Sequence, residues 1–261
     1  MRVIPISSGS SGNCTFIETD STRLMIDCGI SAAAAIRELE KNSIDPATID
    51  GLFISHEHHD HIDGAFAFSK KAKVPIYINL GAYAGSNHKS NGSEVRHFCT
   101  GDIMPFVNTD IQFFPISHDT ADPVGFRIHS EEGEIVHATD LGIAENGLGE
   151  IFNSARIILM DFNHDLEMLV KGPYPIFLKE RIAGNKGHLS NESAAKFLSG
   201  LELPNLEALI LAHMSRTNNV PTVARATAQT VFENRKRTPQ IVAADQYRPR
   251  LVELDSKFQT L

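Results

Sequence analysis

The sequence predicts an α/β fold in which two β-sheets pack against each other and helices cover the outside. Short apolar runs bounded by turn residues recur along the whole chain and mark strands in both halves. Helical stretches are interspersed among them rather than gathered into one segment. No fixed repeat, low-complexity tract or linker rich in Pro, Gly or Ser interrupts the 261 residues, so one domain over residues 1–261 is the expectation.

In order along the chain, strands are predicted over residues 2–6, 15–18 and 23–27, a helix over 32–41 and a strand over 51–55. The loop Ser7-Ser8-Gly9-Ser10-Ser11-Gly12-Asn13 lacks the GxxxxGK[ST] pattern of a phosphate cradle and lies between two strands, so it reads as a tight hairpin connection. A helix over 65–71 and strands over 75–79, 111–116, 125–129 and 134–138 follow, the last two joined by the turn Glu131-Glu132-Gly133. The final third alternates a strand at 156–161, a helix at 191–200, a strand at 208–212, a helix at 222–235 and strands at 240–244 and 250–254.

Composition excludes several classes. With 42% hydrophobic and 21% charged residues the chain has an ordinary globular balance, and no apolar run approaches the roughly eighteen residues that cross a bilayer. The N-terminus has neither a basic region nor the apolar stretch of a secretory signal, so a cytoplasmic protein with no membrane partner is expected. Cys14, Cys28 and Cys99 are odd in number and form no CxxC pair, and they read as small buried hydrophobes. A net charge of −8 argues against broad attraction to nucleic acid, although each bound divalent ion would return two positive charges locally. The short basic runs, Lys179-Glu180-Arg181 among them, read as solvated surface.

Chemistry is concentrated in Ser55-His56-Glu57-His58-His59-Asp60-His61. His56 and His58 follow the apolar strand Leu52-Phe53-Ile54, and residues two apart in an extended segment face the same side, so both imidazoles reach one ion. Asp60 and His61 sit where the chain turns into a helix and face a second position, adding an oxygen and a nitrogen that zinc, manganese or iron accept. His118, Asp140 and His213 each come just after an apolar strand, where strand ends on one edge of a sandwich converge.

In this order, HxHxDH and then a lone His, Asp and His, the chain resembles the metallo-β-lactamase-fold hydrolases. The resemblance implies a four-layer αββα sandwich of two mixed sheets and two divalent ions, zinc or manganese with iron also accommodated. It implies that His56, His58 and His118 hold one ion, that Asp60, His61 and His213 hold the other, that Asp140 bridges them, and that Asp27 orients a ligand histidine. Narrower motifs, SSGSSGN at 7–13, Ser117-His118-Asp119, Asn163-His164-Asp165 and Gly187-His188-Leu189-Ser190-Asn191, resemble the WalJ/YycJ branch. That branch implies metal-dependent 5′-to-3′ exonuclease action on DNA.

The expected reaction is therefore hydrolysis of a phosphodiester by a hydroxide shared between two ions. Asp60, kept ionised by the adjacent cations, accepts a hydrogen bond from that nucleophile. His164 and His188, which lie in polar loops outside the seven-ligand set, are the candidates for protonating the leaving oxygen. Two alternatives stand beside this: a hydrolase of a small thioester, lactone or phosphodiester, which an acidic surface does not handicap, and a non-catalytic scaffold, which the seven filled ligand positions disfavour. His59, His88, His97, His129 and His137 are read as surface or core histidines.

Overall fold

A computed structural model describes residues 1–88, 90, 92–144 and 147–254. The chain opens with three antiparallel strands, β1 (Arg2–Ser7), β2 (Cys14–Glu18) and β3 (Arg23–Ile26). Helix α1 (Ala32–Lys41) then carries the chain to β4 (Gly51–Phe53), which joins β3 in parallel. After α2 (His59–Ile62) and α3 (Ala65–Ala72) comes β5 (Ile76–Tyr77), and after α4 (Leu80–Gly85) comes β6 (Val95–Arg96), both parallel additions.

The second half repeats the plan. Strands β7 (Ile103–Phe106), β8 (Thr109–Pro115), β9 (Val124–Ser130) and β10 (Gly133–Ala138) form an antiparallel meander. Helix α5 (Leu148–Asn153) leads to β11 (Ile157–Asp161), and α6 (Leu166–Lys171), α7 (Ile176–Ala183) and α8 (Asn191–Ser199) lead to β12 (Ala208–Ala212). Helix α9 (Pro221–Thr230) precedes β13 (Gln240–Ala243), and β10 through β13 run parallel. The last short strand, β14 (Val252–Glu253), returns to pair with β1. The two sheets are thus ordered β14-β1-β2-β3-β4-β5-β6 and β13-β12-β11-β10-β9-β8-β7, both mixed.

Three apolar layers separate the four structural ones. Leu24 and Ile26 of β3 face the inter-sheet core, whereas Met25 faces α1 and α3 together with Leu39 and Phe68. In β11, Ile157 and Leu159 face inward while Ile158 and Met160 pack under α8 and α9. Strands covered on both faces read as continuous apolar runs, which is why the sequence shows them so plainly. The inter-sheet layer centres on Phe53, stacked on Tyr77 at 4.6 Å and edge-on to Phe106 at 5.1 Å. One polar contact crosses the same layer, from His137 Nε2 to Thr15 Oγ1 at 3.2 Å. His137 is therefore a core histidine, and burial pushes its pKa down to about 4.

The elements the sequence conceals are short or exposed. β6 has only two residues, and α7 buries none of its side chains, so neither leaves an apolar signature. The helix expected over 222–235 ends at Thr230, where 3₁₀-type bonds such as Phe232 N to Gln229 O tighten the chain. Arg235 then turns back, and its guanidinium donates to the carbonyls of Leu198 in the last turn of α8 and of Leu201 and Glu202 just beyond it.

Phe53→Ala should lower unfolding free energy by about 3–5 kcal/mol in urea denaturation, because it empties the centre of the inter-sheet layer. A loss under 1 kcal/mol would show that this layer does not hold the sheets together. His137 should also make stability fall with acid. The unfolded chain takes up its proton near 6.5 and the folded chain only near 4, so stability is full above 6.5 and about 3 kcal/mol is lost as pH falls to 4. In the metal-stripped protein, urea midpoints at several pH values should show a shallower decline for His137→Gln than for the wild type.

Candidate metal centre

The site lies along one edge of the sandwich, where the carboxyl ends of the parallel strands stop. Asp27 follows β3, His56 follows β4, Asp140 follows β10, Asn163 follows β11 and His213 follows β12. Three of these residues, Asp27, Asp140 and His213, have φ values of 59°, 61° and 51°. That left-handed conformation is unfavourable for a residue with a side chain. It turns the chain sharply off the sheet and aims each side chain back across the strand ends. The first turn of α2 approaches equally closely: a Cβ on Gly29 would lie 1.8 Å from Asp60 O, so only glycine lets Asp60 and His61 reach the edge.

The donors gather in four overlapping groups, each with its ligand atoms within 4.8 Å of one another. These are His56, His58 and His118; Asp60, His61 and His213; His56, His61 and Asp140; and Asp140, His188 and His213. Asp140 is central, with Oδ2 3.0 Å from His61 Nε2 and Oδ1 3.6 Å from His118 Nε2, 3.6 Å from His213 Nδ1 and 3.4 Å from His188 Nδ1. Its backbone N–H donates to Asp161 Oδ1 at 3.0 Å.

Neighbouring groups settle which atoms face the cleft. Asp27 Oδ2 lies 2.7 Å from His61 Nδ1, while its carboxylate also accepts from Ser55 N and Ser55 Oγ at 2.8 Å each. The His61 Nδ1 proton is thereby committed to Asp27, leaving Nε2 toward Asp140. Gly187 O plays the same part for His118 Nδ1 at 3.2 Å, which turns His118 Nε2 to within 3.2 Å of His58 Nδ1. The backbone of His213 is held from two sides, by Ser8 Oγ accepting from its N–H and by Asn163 Nδ2 donating to its carbonyl.

Charge at the site is unbalanced. Burial pushes the Asp140 carboxyl up, but His213, His61 and His118 outweigh it and hold it well below the usual carboxylate range. Burial likewise pushes Asp60 up, and His61 and His213 bring it below its ordinary value. Burial would neutralise His61 and His213, yet Asp140 and neighbouring carboxylates drive His61 well up and His213 to about 9. His56, fully buried, is pushed well down by burial, and its Nε2 has no hydrogen-bond partner among the described residues. Ionised carboxylates in a dry site call for positive charge, and bare imidazole nitrogens call for a Lewis acid, so the donor set fits divalent cations of the zinc, manganese or iron type.

The surrounding cleft, about 170 Å³, is lined by His58, Asp60, His118, Asp140, His188 and His213 together with Ser10, Asp119 and Arg181. His188 Nδ1 also lies 3.1 Å from Asp161 Oδ2. His164 does not line the cleft. It is 1% exposed beneath the strand-end layer, burial lowers its pKa to about 4, and its Nε2 has no partner among the described residues. His59 points outward to Asp63, as a spacer should.

Four contributors were hidden from sequence reasoning. The loop at 7–13 does connect β1 and β2, but it also builds the site. Gly9 N–H donates to Asn13 Oδ1, fixing the amide so that Nδ2 sits 2.8 Å from His61 Nε2 and 3.3 Å from Asp60 Oδ2. Asp161, at the end of an apolar strand like Asp27, carried the signal that could have found it. Asp119 and Arg181 form an ion pair at 2.7 Å, so Arg181, exposed as the sequence implies, also lines the cleft.

Comparison with known proteins agrees with this arrangement. Residues 22–214 match the β-lactamase superfamily domain. The chain is 29% identical to exodeoxyribonuclease YycJ of Bacillus anthracis over 88% of each protein. It is 31% identical to exodeoxyribonuclease WalJ of Streptococcus pneumoniae serotype 2, over 85% of this chain and 84% of the relative. Among solved structures, the metallo-β-lactamase fold protein YhfI of Bacillus subtilis superposes with a TM-score of 0.71 at 17% identity, covering 97% of this chain and 99% of that one. The chain belongs to the β-lactamase superfamily, and its two mixed sheets and outer helices are the metallo-β-lactamase fold.

Proposed function

We propose that this superfamily hydrolase is a binuclear metal-dependent phosphodiesterase that degrades DNA from the 5′ end. The observation that carries the reading is the pairing of two three-donor groups on either side of one buried carboxylate. The similarity to two exodeoxyribonucleases over most of the chain supports the substrate. His56, His58 and His118 would hold one ion, Asp60, His61 and His213 the other, and Asp140 both, with zinc or manganese as occupants and iron as a further candidate. Two such ions supply an acidified water and neutralise charge on a phosphodiester.

The chain's own residues do the rest. Asp27 and the Gly187 carbonyl hold the ring protons of His61 and His118 away from the cleft, so the lone pairs point inward. Asp60, partly solvated and held ionised, would accept a hydrogen bond from the attacking water and orient it. Arg181 exchanges its ion pair with Asp119 for a bidentate contact to a phosphate, for which its planar fork is shaped. His188 reaches the cleft and is the residue that hands a proton to the leaving oxygen. His164, buried outside the cleft, braces the loop beside it through paired backbone bonds, Asn191 N to His164 O and Asn163 N to Leu189 O.

No helix among the described residues is long and apolar enough to cross a membrane. The cytoplasmic location belongs to the same proposal, as the compartment that holds the DNA substrate. A second reading, hydrolysis of a small thioester, lactone or phosphodiester, draws on the small cleft volume and the net charge of −8.

Purified protein loaded with zinc or manganese should shorten 5′-labelled DNA, and His58→Ala should lose bound metal and activity together. Intact DNA alongside rapid cleavage of a small ester would select the second reading. Asp27→Asn should lower metal affinity by roughly 10- to 100-fold without unfolding the chain, because it weakens the acceptor that orients His61. Unchanged metal affinity in chelator-competition titrations would remove Asp27 from that role.

A further inference from the structure

We infer that the apolar cavity adjoining the metal cleft is a nucleoside pocket, which receives one unpaired terminal nucleotide of the DNA. The inference deepens the phosphodiesterase reading and rests on it.

The cavity is about 550 Å³, against about 170 Å³ for the cleft, and His118 lines both. A group bonded to a phosphate in the cleft therefore has the cavity as its neighbour. Ile116 and Pro123 line it from the ends of β8 and the approach to β9, and Leu148 and Ile151 of α5 line it from the helical side. Leu148 and Ile116 belong to the core that packs α5 and α8 on the second sheet, so these two walls are set by the fold, while connecting segments complete the lining.

The polar groups at the cavity indicate what enters. Lys186 lines it, on the same 182–188 strap that brings His188 into the cleft just after Arg181 of α7. That strap is fixed: Ser117 Oγ donates to Asn185 O at 2.7 Å, and a Cβ on Gly187 would lie 2.2 Å from the carbonyl oxygens of Arg181 and Ile182. Two cationic side chains thus line the adjoining spaces, Arg181 at the cleft and Lys186 at the cavity. An acyl chain offers the exposed Lys186 no anionic group to meet. A nucleoside presents flat apolar faces to the aliphatic walls and brings a charged backbone to the lysine.

Size decides the strandedness. The cavity lies within the roughly 300–1,000 Å³ range of sites that hold one small molecule, which suits one nucleoside and not a base pair with its two backbones. A paired end must fray before it is cut, so unpaired ends are the better substrates.

The test compares kcat/KM on single-stranded oligonucleotides whose terminal nucleotide, at each end in turn, is normal or an abasic tetrahydrofuran unit. The wild type should cut the abasic end roughly tenfold or more slowly. Ile151→Trp, which fills the cavity and leaves the metal donors untouched, should cut the normal end at the abasic rate and the abasic end as the wild type does. Lys186→Gln should reduce the slope of log kcat/KM against log salt by about 0.7. Equal wild-type rates on the two ends, or a base preference that survives Ile151→Trp, would overturn the pocket while leaving the phosphodiesterase reading intact. Failure to cut any oligonucleotide, with a small ester hydrolysed, would overturn both. Should circular dichroism show Ile151→Trp unfolded, the wild-type comparison and the Lys186→Gln slope decide.

Discussion

A carboxylate that is 2% exposed and still ionised needs positive charge on several sides, and Asp140 meets four imidazoles within 3.0–3.6 Å. Burial pushes its carboxyl toward the neutral form, and the surrounding histidines outweigh that push. The same carboxylate drives His213 and His61 toward the protonated state. Protons and divalent ions are therefore competing solutions to one electrostatic deficit, and the buried, unpartnered His56 Nε2 favours the ions. Much of the local geometry follows from keeping Asp140 where it is, including the Asp161 bond to its backbone and the left-handed turn it occupies.

The two-sheet architecture makes that concentration affordable in space. Parallel strands end together, so five strand ends deliver five polar side chains to one line while their apolar bodies fill the layers behind. Conformationally costly turns at Asp27, Asp140 and His213 are tolerated because each is tied down on the far side, by Ser55, by Asp161, and by Ser8 with Asn163. The orienting groups differ chemically, a carboxylate for His61 and a backbone carbonyl for His118, and they give the two histidines different basicity.

Much of this was legible in the sequence, for reasons that can be named. Strands buried on both faces announce themselves as unbroken apolar runs, and the polar residue just past such a run is conspicuous, which is how His118, Asp140 and His213 stood out. His56 and His58 were legible from the alternation of an extended segment. Asn13 and Arg181 were not, because their parts depend on contacts with residues tens of positions away, such as His61 and Asp119. His164 and His188 looked alike in sequence, each in a polar loop, but local context does not encode depth: one is sealed under the loop and the other opens into the cleft. The short β6 and the exposed α7 escaped because neither buries enough apolar surface to show periodicity.

The donors are divided between the sheets. His56, His58, Asp60 and His61 follow β4 of the first sheet, whereas His118, Asp140 and His213 follow β8, β10 and β12 of the second, so three of the four donor groups straddle the seam. An ion bound there is a rivet between two layers otherwise joined chiefly by greasy contact. Its binding energy is added to the cohesion of the sandwich by mass action, since the unfolded chain scatters the same donors over more than 150 positions. The supply of metal would then act as a thermodynamic lever on the lifetime of the protein as well as on its chemistry.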